Sequence, residues 1–131
     1  MILRIVIILL GIGFLLIGFS GLFRPAQLAE ALALMPVTPA GTGSLRAMIG
    51  AHYLAMGSVA IVAALSKRWA WLVPLACIEG CMVLARGVSG IAGELDPSSI
   101  GATGIEVIAC VVLALGATMA RRNDVASSVS E

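Results

Sequence analysis

The run WAWLVPLACIEGCMVLARGVSGI, Trp69–Ile91, decides how this chain is read. Its 23 residues, at 1.5 Å rise per residue, cover the ~30 Å hydrocarbon thickness of a bilayer. Yet two charged side chains, Glu79 and Arg86, lie inside it. A charge at the bilayer centre costs about 3 kcal/mol or more, so such side chains face a bundle interior and have partners there.

Three further runs have the same character: Ile2–Phe23, Leu45–Leu65 and Ile100–Ala120, the last enclosing Glu106. Helices are the open-ended structures that satisfy their own backbone in lipid. The expected fold is therefore all-α, a four-helix transmembrane bundle in a single integral membrane domain spanning 1–131, with helices at about 2–23, 45–65, 69–91 and 100–120. Composition agrees: of 131 residues, 60% are hydrophobic and 11% charged, against about 25% charged in a soluble domain. The mean hydropathy is +1.10. The first run is longer than the apolar region of a signal peptide and no A-x-A-like site follows, so it reads as a retained helix. A net charge of +1 without a basic arm points away from nucleic acid.

Arg4, Lys67, Arg68, Arg121 and Arg122 fall on one side of such a bundle, and Arg24 and Arg46 on the other. The excess of positive charge marks the cytoplasmic face, which puts both termini in the cytoplasm of a multi-pass inner-membrane protein. Trp69 and Trp71 fit an inner aromatic belt. In the first outer loop, Pro25–Met35 is rich in helix formers. Leu28, Leu32 and Met35 share one face, so a short interfacial helix is expected. Residues 37–44 read as a turn that ends in an N-cap at Ser44. Pro97 stops any continuing helix, Asp96 or Ser98 can cap the fourth span, and the tail after Asn123 reads as frayed. The many helical glycines, among them Gly11, Gly18, Gly50, Gly57, Gly87 and Gly104, read as helix–helix contacts.

At 100° per residue, Arg46, Gly50, Tyr53 and Gly57 form one stripe of the second span. Glu79, Met82, Val83, Arg86 and Gly90 form one on the third. Glu106 shares its stripe with Ala102, Cys110, Leu113 and Ala117. The depths let Arg46, Tyr53, Arg86 and Glu106 meet in the outer half, with Glu79 beneath; His52 is at the right depth but about 100° off the Tyr53 stripe. The candidate ligand-binding residues are thus Arg46, Tyr53, Glu79, Arg86 and Glu106, with His52 as a further candidate. One reading makes them a buried ion network that acts as helix glue. The other makes them a polar pocket for a small or amphipathic ligand, with Glu79 as an alternative proton site.

Other chemistry finds little footing. Cys77 and Cys81 are four apart on one helical face and form no C-x-x-C pair, and Cys110 is also embedded. With His52 the lone histidine, a bis-histidine haem within one chain is excluded and a metal would lean on carboxylates. No cofactor, metal site or catalytic constellation is expected; nucleotide fingerprints and nucleophile elbows are missing.

The segment Arg46-Ala47-Met48-Ile49-Gly50-Ala51-His52-Tyr53-Leu54-Ala55-Met56-Gly57 resembles the R-x-x-x-G-x-x-x-x-x-x-G signature of a bacterial family of small four-helix membrane proteins of unknown function. Glu79, followed by Ala85-Arg86-Gly87-Val88-Ser89-Gly90, looks like that family's acid and Arg-centred motif, and Glu106 corresponds to its fourth-helix acid. In topology the chain is similar to DoxX-like membrane proteins. The resemblance implies that Arg46, Glu79, Arg86 and Glu106 belong together, and implies no activity.

The leading expectation is a non-enzymatic membrane protein whose outer-half pocket binds a small anionic or amphipathic molecule or a lipid headgroup. Arg46 and Arg86 would hold the anion and the acids would orient the arginines. The alternatives are a small proton-coupled transporter acting as an oligomer, with Glu79 as proton carrier, and an accessory subunit docked on a larger membrane complex through its glycine-rich faces.

Overall fold

The computed structural model describes residues 1–32, 34, 38–93 and 97–128, with the backbone alone at 97–99 and 120–128. Every element among them is helical. Helix α1 covers Ile2–Phe23, α2 Pro25–Ala31 and α3 Pro39–Leu45. A π-helical turn at Arg46–Ala51 joins α3 to α4, His52–Ser66, so that Pro39–Ser66 is one continuous rod. After the short link and a 3-10 turn at Trp69–Trp71 come α5, Leu72–Ile91, and α6, Pro97–Ser128. Four of these segments are long and apolar enough to cross a membrane: Ile2–Phe23, Pro39–Ser66, Trp69–Ile91 and Ile100–Met119.

Several boundaries differ from expectation. The second span starts at Pro39, not at residue 45. Thr38 is its N-cap, accepting a hydrogen bond from the Gly41 amide at 3.1 Å, and Pro39 suits the first helical position because its missing N–H would be orphaned there anyway. Ser44, expected as the cap, is inside the helix and donates its hydroxyl back to the Ala40 carbonyl at 3.1 Å. The fourth helix likewise starts at Pro97 and runs on to Ser128, past the expected end at 120 and the expected fraying point at Asn123. Met35, Asp96 and residue 37 lie outside the described residues.

The helices pack as two close pairs. Along α1, Gly11, Gly18 and Gly21 face the Pro39–Ser66 rod, which answers with Gly50 and Gly57. A Cβ on Gly57 would stand 2.6 Å from the Gly11 carbonyl oxygen, and one on Gly18 2.6 Å from the Leu54 nitrogen. Backbones therefore touch, which is how helices gain packing energy where lipid removes the hydrophobic drive. The other pair is α5 with α6. At the end that holds the N-terminus and the Ser66–Trp69 link, the two pairs interlock: Ile7, Leu72 and Leu113 are fully buried, and Gly116 admits the side chains of Ile7 and Leu72. Arg4 adds a bond from its guanidinium to the Leu65 carbonyl at 3.3 Å, tying α1 to the exposed C-terminal end of α4.

Away from this core, the outward faces are apolar. On α1, Ile5, Leu9, Ile12, Leu16, Phe19 and Phe23 are all exposed, a 3–4 residue spacing that draws one stripe along the helix. Of the two tryptophans, Trp69 is buried in the core, whereas Trp71 is exposed with the Arg68 guanidinium 5.2 Å from its ring centroid.

Candidate functional site

At the opposite end the two helix pairs do not interlock. A partly open cavity of about 470 Å³ lies between them. All four long segments line it: Ile17 from α1; Met48, Ile49, His52 and Tyr53 from the π turn and α4; Met82 and Arg86 from α5; Ala102, Ile105 and Glu106 from α6. Helix α2 forms one wall with Leu28, joined by Leu32 and Leu34 just after it. A tight turn at Arg24 followed by Pro25 folds α2 back, burying Leu28 and Ala29 beside Leu45, Ile17 and Ile49. The face read as interfacial is thus packed on the bundle in its first turns.

Arg86 is fixed against Glu106 in a bidentate fork. Nε donates to Oε2 and Nη2 to Oε1, each at 3.2 Å. The Glu106 carboxylate is nearly buried while a third of the Arg86 side chain remains accessible. The planar guanidinium matches the two carboxylate oxygens, so one pair of bonds holds both register and charge balance.

Glu79 is one turn deeper than Met82. It is 1% exposed, and neither carboxylate oxygen has a hydrogen-bond partner among the described residues. It is not in the lining of the cavity, which α5 reaches at Met82 and Arg86. Below it, Leu75 belongs to the closed core. Glu79 therefore occupies the boundary between packed core and cavity.

Tyr53 and His52 form an aromatic corner. The Tyr53 ring stands 5.5 Å from Phe14 and 5.7 Å from His52, the latter edge-on at 84°. His52, 100° around the ideal helix from Tyr53, reaches the cavity as well, because the opening is wide enough to take two consecutive positions of α4.

Arg46 is not brought to this group. It is exposed and outside the cavity lining, at the start of the π turn. That turn bonds i to i+5 and so carries an extra residue, which breaks the 100° register between Arg46 and the residues beyond it. The supposed stripe splits accordingly: Gly50 and Gly57 face α1, Tyr53 faces the cavity, and Arg46 faces outward.

Sequence reasoning named the polar members of the site, put Met82 and Ala102 on the same stripes as these, and missed other apolar walls, Ile17, Met48, Ile49 and Ile105 among them. Their signal is indistinguishable from that of lipid-facing residues in a uniformly apolar chain. Cys77 and Cys81 are exposed on the outside, and Cys110 lies at the α5–α6 seam with its thiol 3.8 Å from the Ala76 carbonyl. Among the described residues no three His, Cys, Asp or Glu side chains gather where a metal could be held.

The matched family spans helix 1 through most of the last helix. Residues 2–117 match a domain of unknown function, DUF4345. This chain belongs to that family. No curated protein and no solved structure matches it. The matched residues take in three apolar segments whole, most of the fourth, and both members of the Arg86–Glu106 fork.

Proposed function

We propose that this DUF4345 protein is a non-enzymatic, multi-pass inner-membrane protein that binds a small amphipathic molecule or lipid in the cavity beside Arg86 and Glu106. The observation that carries this reading is the cavity itself. Its volume of about 470 Å³ falls in the range of small-molecule sites, roughly 300–1,000 Å³, and its apolar walls carry a few convergent polar groups, as such sites do. A bare anion fits less well than an amphipath, because Arg86 already has its fork filled by Glu106 and Arg46 faces away.

In this reading both termini are cytoplasmic, by the distribution of Lys and Arg, and α2 lies at the outer interface over the mouth of the cavity.

Native mass spectrometry in mild detergent tests the binding. The wild type is expected to carry a co-purifying small molecule or lipid that is lost in Ala102→Phe, which fills the cavity. A ligand-free wild type beside an Arg86→Gln variant that falls apart would instead make the fork helix glue.

A second reading, a proton-coupled transporter, draws on the burial of Glu79 without a described partner. Intramembrane acids of this kind serve as proton relays in transporters. Proton-linked flux in liposomes that is abolished by Glu79→Gln would support it.

A further inference from the structure

We infer that the molecule bound in the cavity is an amphipathic cation, an amine or quaternary centre on an apolar body. This rests on the binding reading above and specifies its ligand. The argument is one of charge balance. Among the described residues, the ionisable charges at the cavity and directly beneath it are Arg86, Glu106 and Glu79. Arg86 and Glu106 neutralise one another through their fork. Glu79 has no such partner: both its oxygens are buried and without a described hydrogen bond. Periodicity alone would have brought Arg46 to balance it, but Arg46 is exposed and off the lining. The remaining titratable groups facing this region are His52, the Tyr53 phenol and the Cys110 thiol, none of which is a permanent positive charge.

An ionised Glu79 therefore leaves the region one negative charge in excess, surrounded by apolar side chains. In so weakly screening a medium that charge acts well beyond contact distance, into a cavity one of whose lining residues, Met82, is three positions along the same helix. The cavity also offers what an organic cation needs besides charge. Its walls are mostly aliphatic, and the rings of Tyr53 and His52 meet edge to face at 5.7 Å beside it, a setting in which a ring face attracts a cation. A proton on Glu79 would meet the same deficit of positive charge, and the following experiment separates the two.

The protein is reconstituted in phosphatidylcholine nanodiscs, and equilibrium binding is measured for tetraphenylphosphonium, for tetraphenylborate of nearly the same shape, and for neutral triphenylphosphine oxide, with empty discs subtracted. The expected result is saturable phosphonium binding at least about tenfold tighter than borate binding, weakened about tenfold in Glu79→Gln and retained in Glu79→Asp. The neutral oxide is expected to bind wild type and variants alike. Equal affinity for the two ions, or phosphonium binding unchanged in Glu79→Gln, overturns the cation and leaves the binding reading intact; a Glu79 neutralised by its own proton gives this outcome. No saturable binding of any of the three overturns both. Should Glu79→Gln fail to fold, the comparison of opposite charges on the wild type decides alone.

Discussion

The guanidinium of Arg86 grips both carboxylate oxygens of Glu106 across the α5–α6 seam, two bonds of 3.2 Å at the edge of the cavity. Removing one partner leaves the other as an uncompensated charge in an apolar setting. Arg86→Gln is therefore expected to lose about 3 kcal/mol of stability, and the double variant Arg86→Gln/Glu106→Gln to regain most of it, since neither residue is then charged. Arg86→Lys keeps the charge but not the fork and should fall between. Thermal unfolding in mild detergent measures all three. Single and double variants of equal stability would show that the two side chains are not coupled.

The glycines divide into two groups with opposite predictions. A Cβ on Gly50 would stand 2.9 Å from the Leu22 nitrogen, and one on Gly57 2.6 Å from the Gly11 oxygen, whereas at Gly87 and Gly104 it would meet nothing within 4 Å among the described residues. Gly57→Ala is expected to cost about 1–3 kcal/mol, since backbone rather than a flexible side chain must yield. Gly87→Ala and Gly104→Ala should be neutral or gain up to about 1 kcal/mol from helix propensity. Unfolding midpoints of the three Ala variants check the division.

Glu79 is costly where it stands. A buried carboxylate with no described partner is a feature that a purely structural protein would do better without. Glu79→Leu is expected to raise stability by about 1–3 kcal/mol while removing ligand binding, the trade expected where a residue is kept for function. A destabilised Glu79→Leu would show that the acid holds the bundle together instead.

Topology can be read by labelling. In a background with Cys77, Cys81 and Cys110 replaced by Ala, a cysteine at Gln27, exposed on α2, is expected to react in intact cells with a membrane-impermeant maleimide. A green fluorescent protein fused after Glu131 should fluoresce, since it folds in the cytoplasm. The reverse pattern would place α2 and the cavity mouth on the cytoplasmic side.

Much of the fold was legible in the residues themselves. A run such as Trp69–Ile91 is long and apolar enough to cross a bilayer whatever its neighbours do, because each helix satisfies its own backbone. The depths of Arg86 and Glu106 in the third and fourth spans allowed the two to meet, without singling out that pair. The start of the second span at Pro39 was also readable, in the Thr38-Pro39 cap and first-turn signature, but the small polar residues 40–44 obscured it.

Tertiary structure decided the rest. Ideal periodicity carried Arg46 onto the Tyr53 stripe; the π turn, a departure from i→i+4 bonding that no residue type at Arg46–Ala51 announces, took it off again. Nor does a stripe name the helix it faces, so Gly57 and Gly87 read alike although one touches backbone and the other meets nothing among the described residues. By itself the sequence determined that four segments are long and apolar enough to cross a membrane as helices, because length, hydropathy and rise per residue are local. Which charges meet, where the pairs of helices part to leave a cavity, and that Glu79 is left beneath it without a hydrogen-bond partner among the described residues were decided by packing between segments distant in sequence.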